Sequence, residues 1–157
     1  MSRSLALAFS ITVLLAAGCS RDDEARAPVA CAGEASTYLR ALAAAPGQVR
    51  LDDETLISGC LTGGQSGADL GTAGQAMVEA ATELNRQARR DPGGRANVAV
   101  GYLAGAVERG ALTTGGIHAD LQRRLDVAAR FQRSSGETSA AFRRAFERGA
   151  TAGRRSG

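Results

Sequence analysis

"ANVAVGYLAGAVERG", residues 96 to 110, decides how this chain folds. From Ala96 to Val107 it runs 12 residues without a charge and is apolar almost all round. A helix with no polar stripe to offer solvent must be enclosed on every side. Crossing a hydrocarbon core takes roughly 20 apolar residues, so this segment is too short for that and is expected to be the central helix of a bundle. Gly101 and Gly105 stand at G-x-x-x-G spacing. Within a fold of this kind the spacing marks a seat for a neighbouring helix rather than a membrane dimerisation face. Gly110 is expected to end the helix as a left-handed cap.

Helical periodicity extends in both directions, and strand alternation is nearly absent. Upstream, residues 68–90 place Leu70, Ala73, Met77, Ala80, Ala81, Leu84 and Ala88 on one side, with Glu79, Glu83, Arg86 and Arg90 outside; "RDPGG" breaks the run. A first helix is expected from Cys31 or Ala32 to Ala44, with Tyr38, Leu39 and Leu42 inward, stopped by Pro46-Gly47. A short one should follow from about Asp52 to Leu61, its opening acids Asp52, Asp53 and Glu54 suiting the positive end of a helix dipole. Downstream, residues 117–132 turn Ile117, Leu121, Leu125 and Ala128 inward, and residues 137–150 bury Phe142 and Phe146. "VERGA" (107–111) recurs as "FERGA" (146–150), and a shared helix-end signal accounts for the match as well as a duplication does. The tail "TAGRRSG", 151–157, is expected to fray. The predicted class is all-α, a compact bundle of about six short-to-medium helices over residues 31–150.

The amino terminus has a different character. "LALAFSITVLLAA", 5–17, is uncharged, follows Arg3 and leads into small residues, which is the pattern of a secretory signal. Its exit, "LLAAGCS" at 14–20, resembles the lipobox of bacterial lipoproteins. One departure is Ala16, three places before the cysteine, where the family usually has Leu; Leu15 lies one place earlier. The resemblance covers the first 19 residues and implies a cleaved signal peptide, 1–18. It also implies a diacylglyceryl group on the Cys19 sulfur and a mature chain that starts at Cys19. Such a protein is held at the membrane through its lipid and faces outside the cytoplasm, in a periplasm or at a cell surface. Two acyl chains hold a protein firmly where one binds only marginally. Residues 19–30 are then the lipidated cysteine and a polar tether, whose eleven residues "SRDDEARAPVA" reach at most about 36–40 Å. Without lipid, Cys19 would be a free thiol or a disulfide partner after ordinary signal cleavage.

If Cys19 is lipidated, Cys31 and Cys60 remain, an even pair in an oxidising compartment, and one disulfide is expected. With no C-x-x-C and a single histidine, neither a zinc site nor a redox pair is expected. All 19 basic residues are arginine, and their distribution is uneven. Residues 20–85 hold 4 Arg and 10 acids, a net of −6, whereas residues 123–157 hold 9 Arg and 3 acids, a net of +6. The two ends either pair within the fold or leave a basic surface for an anionic one.

Motifs for chemistry are sparse. The chain lacks G-x-S-x-G, H-E-x-x-H, a G-K-[ST] phosphate loop and an EF-hand pattern, so no enzyme activity, metal or cofactor is expected. His118 and Asp120 are two apart and diverge on a helix, so they are no base–orienter pair. "TTGGIH" places Thr114, Gly115, Gly116 and His118 at a helix start, where free N–H groups suit an anion. Arg130 and Arg133 share a face at i, i+3, and Arg144 and Arg148 share one at i, i+4. These sites offer an alternative role in binding a small anion, an acidic polymer or a lipid surface. The main expectation is a non-enzymatic interaction or envelope-accessory module, with a protein partner in the cell envelope and no nucleic acid.

Overall fold

Residues Arg95–Thr113 form one helix, α3, around which the rest of the chain is arranged. Its Asn97, Val98, Val100, Tyr102, Leu103, Ala106 and Val107 are all buried, as its uncharged circumference requires. The computed structural model describes residues 26–114, 118–129 and 139–157. Among them are five α-helices and no strand: α1 (Ala35–Leu42), α2 (Gly67–Ala88), α3, α4 (Ala119–Ala129) and α5 (Ala140–Ser156). Two short 3-10 turns, Val29–Ala32 and Ile57–Cys60, complete the order. All four other helices and the second turn touch α3 or its immediate neighbours, α5 most extensively. The core extends from Cys31 to Ala152, so the body encloses its own apolar interior.

The contact between α3 and α5 is made by backbone on backbone. A methyl group at Gly101 or Gly105 would overlap the carbonyl of Phe146 or Ala150. One at Gly149, Gly153 or Gly157 would overlap the carbonyl of Val98, the carbonyl of Tyr102 or the side chain of Ala106. The facing residues rise together along both helices, so α3 and α5 run parallel. The Asn97 amide fixes the register at one end, donating 2.8 Å hydrogen bonds to the carbonyls of Pro92 and Phe142. At the other end Arg154 of α5 pairs with Glu108 of α3 at 3.2 Å.

The disulfide forms between Cys31 and Cys60, with Cα atoms 5.4 Å apart. It joins the two 3-10 turns, and the Tyr38 hydroxyl donates to the Cys31 carbonyl at 2.9 Å beside it. In the chain-entropy view, closing this loop with a separation of 29 stabilises the fold by about 3–4 kcal/mol.

Four expectations are corrected. The helix expected over 52–61 is a turn followed only by Ile57–Cys60. The Asp52 carboxylate accepts from the amides of Thr55 (2.7 Å) and Glu54 (3.3 Å), and Asp53 adopts a left-handed φ of 63°. Acids that suit a helix dipole suit an aspartate turn equally well, and here the side chain captures the backbone first. Gly110 does not end α3, which continues to Thr113; it is a close-approach site against Ser58 and Leu61. Consequently "VERGA" and "FERGA" are packing seats inside helices rather than helix ends. The tail is not frayed: α5 runs to Ser156 because Gly149, Gly153 and Gly157 dock on α3. The first helix is also shorter than expected, 35–42, since the chain around Cys31 is a separate 3-10 turn.

Gly149→Ala is expected to lower stability by about 3 kcal/mol or more, because a backbone carbonyl cannot move aside for the methyl. Gly71→Ala, in α2 with nothing within 4 Å of the added carbon, should instead raise it by about 0.5–1 kcal/mol. Urea unfolding of both variants under oxidising conditions checks the contrast.

Candidate functional site

The one histidine ends up inside the protein. His118 has no exposed surface, although it lies at the very start of α4. Its Nδ1 is 2.6 Å from the Thr114 hydroxyl and its Nε2 is 3.3 Å from Oε1 of Gln65. Nδ1 thus faces the Thr114 hydroxyl, which also lies 3.1 Å from the Ala111 carbonyl, and Nε2 faces Gln65. Thr114 closes α3, and Gln65 precedes Ser66, whose hydroxyl caps α2 by accepting from the Asp69 amide at 3.1 Å. The imidazole therefore ties the end of α3 and the starts of α2 and α4 to one another. Removal from water pushes its pKa below the ordinary value of 6.5, so the ring is neutral at neutral pH.

Of the expected anion site, Thr114 and His118 are brought together, but they bond to each other, and the ring carries no charge. Gly115 and Gly116 lie outside the described residues, as do Cys19, Arg130 and Arg133. Among the described residues, no group of three His, Cys, Asp or Glu side chains gathers as a metal site would require.

The exposed face of α5 is the second place where sequence-predicted residues meet. Arg144 and Arg148 are both exposed, one turn apart. Because α5 continues to Ser156, Arg155 joins them: residues 144, 148, 151 and 155 follow i, i+4, i+7, i+11 and share one side. Arg155 was hidden by the expectation of a frayed tail, and the glycine spacing 149–153–157 was the signal that could have found it. Arg154, on the neighbouring side, is held by Glu108 and Glu147. Those carboxylates raise its pKa further, Glu147 through a hydrogen bond most strongly. Among the described residues the other ion pairs, Arg86–Glu83 and Arg123–Asp120, each lie within a single helix, whereas Arg154–Glu108 joins α5 to α3. None of these four pairs joins an acidic residue of 20–85 to an arginine of 123–157. Arg144, Arg148 and the Arg155 guanidinium make no ion pair with a described residue.

Compared with known proteins, the chain matches no family model, and no curated protein or solved structure matches it.

The buried histidine makes stability pH-dependent with a definite sign. The unfolded chain protonates His118 near 6.5, whereas the folded chain resists protonation until lower pH. Between those two pH values the unfolded state binds more protons, so stability falls as pH is lowered through 6.5, at up to about 1.4 kcal/mol per pH unit. His118→Gln is expected to be less stable at pH 7.5 yet to lose this slope. Urea midpoints at pH 7.5, 6.5 and 5.5 measure it, and equal slopes in both proteins would show that the imidazole protonates in place.

Proposed function

We propose that this chain is a lipid-anchored protein facing outside the cytoplasm, whose helical body is a non-enzymatic interaction module of the cell envelope. The observation that supports it most is the division of the cysteines. The Cys31–Cys60 bridge consumes the two in the body, leaving Cys19 as the odd one at the end of Leu14-Leu15-Ala16-Ala17-Gly18. A buried structural disulfide suits an oxidising compartment. An odd cysteine at the exit of a signal-like segment suits acylation better than an idle thiol.

In this reading residues 1–18 are removed, Cys19 becomes the acylated first residue, and the body stays within about 36–40 Å of the bilayer. The part played by His118 is consistent with a body that acts through its surface. Its two ring nitrogens are occupied by Thr114 and Gln65, so the histidine serves to lock helix termini together. The partners are the membrane, through the lipid, and a protein surface in the envelope.

The test is the intact mass of the protein purified from bacterial host membranes after crosslinking in the cell. A chain that starts at Cys19 and carries diacylglyceryl mass is expected, together with a stoichiometric crosslinked protein. Cys19→Ser should leave the precursor uncut and unacylated. A mature chain starting at any other residue, or one carrying no lipid, would overturn the anchored reading.

A further inference from the structure

We infer that the outer face of α5, through Arg144, Arg148 and Arg155, rests on anionic lipid headgroups beside the anchor. The inference deepens the proposed function and takes its bilayer from that reading, but the stripe itself is a property of the body. The three guanidiniums project from one side of a helix whose opposite side is locked, carbonyl against glycine, to α3. They span 11 residues, about 16 Å at the helical rise. Thr151, the remaining member of the row, is uncharged and turns its hydroxyl to Glu147. Glu147, the one carboxylate within α5, is itself held by Arg154. The row therefore presents three positive charges with no acid of its own interposed.

Its position in the fold favours a membrane over a distant partner. The C-terminal end of α5 meets the second 3-10 turn, where the Ser58 hydroxyl donates to the Gly157 carbonyl. Two residues on, Cys60 is bridged to Cys31, and from Cys31 the chain leads back through Pro28 towards Cys19. Arg155 thus sits at the end of the body from which the tether leaves. The same end carries Val29 and Leu112, two large apolar side chains that are 91% and 79% exposed. Leu112 follows Gly110, which packs on Ser58, and Val29 is two residues from Cys31. Charges that meet headgroups and apolar side chains that meet the interface are the two components of a peripheral membrane face. A short tether raises their local concentration at the bilayer.

The experiment uses residues 19–157 with Cys19→Ser, a chain that keeps the whole enclosed core and has no acyl group. Its result is therefore independent of whether Cys19 is acylated in the host. Partition is measured by co-sedimentation with vesicles of phosphatidylcholine alone and with 30% phosphatidylglycerol. Binding is expected only to the anionic vesicles and should be lost in 0.5 M NaCl. Arg144→Gln/Arg148→Gln/Arg155→Gln should reduce partition on the order of 100-fold. A control of equal charge change, Arg40→Gln/Arg90→Gln/Arg124→Gln, should reduce it less than about 5-fold. Both variants should keep the parent's thermal melt, since the altered side chains are exposed. Equal partition on neutral and anionic vesicles would overturn the inference and turn the search to an acidic protein surface for the stripe. Equal losses in the two triple variants would also overturn it, by reducing the effect to net charge.

Discussion

The rest of the structure depends on the close approach of α3 and α5. Four glycines inside these helices, Gly101, Gly105, Gly149 and Gly153, cost about 2–4 kcal/mol in helix propensity compared with alanine. That cost is offset only if removing four methyl groups brings many more atoms into contact. With no side chain between them, the two backbones make continuous van der Waals contact. Carbonyl oxygens lie over glycine α-carbons, the arrangement in which weak C–H···O bonds form. The parallel direction follows from this pairing, and the segment between the two helices must accordingly bring the chain back along the bundle. α4 supplies part of that return and packs on α2 and α3.

A contact built from small residues specifies register poorly by itself, since a helix can slide by one G-x-x-x-G step and meet similar atoms. Polar groups at the helix ends prevent this. The Asn97 amide reaches the carbonyls of Pro92 and Phe142, and a slip of one turn along α5 would take the Phe142 carbonyl away from it. His118 does the same for α2, α3 and α4 through Gln65 and Thr114. Leaving a buried donor or acceptor unmade costs about 1–3 kcal/mol, enough to separate two apolar packings that are otherwise close in energy. Histidine and asparagine thus act here as locators of helix ends rather than as chemistry.

The legible part of this fold was legible because burial leaves a periodic trace. The twelve uncharged residues from Ala96 to Val107 and the stripe from Leu70 to Ala88 have one explanation each, and both helices stand within a few residues of where the pattern places them. Gly101 and Gly105 were likewise readable as a packing seat. What failed was interpretation of residues with two uses. Aspartates start helices and also make turns, and at Asp52 two backbone amides decided for the turn. Glycine ends helices and also admits neighbours, and at Gly110 and Gly149 the neighbour prevailed. Which use applies depends on what lies across the interface, and a single chain position does not encode that. The candidate sites divide similarly. Spacing placed Arg144 and Arg148 on one face, but it gave no hint that His118 would be enclosed by a glutamine 53 residues away.

The inner face of α5 also determines what its outer face can do. A helix held to its neighbour by long side chains can tilt or roll and redistribute its surface charges. One held carbonyl to glycine cannot, because interpenetrating backbones resist rotation more strongly than interdigitating side chains do. Arg144, Arg148 and Arg155 therefore keep a fixed spacing without an ion pair to any described residue. The price of holding like charges in a row is only partly screened repulsion; Arg154, lying off the row, is compensated by Glu108 and Glu147. On the proposed reading, a surface of opposite sign relieves that repulsion.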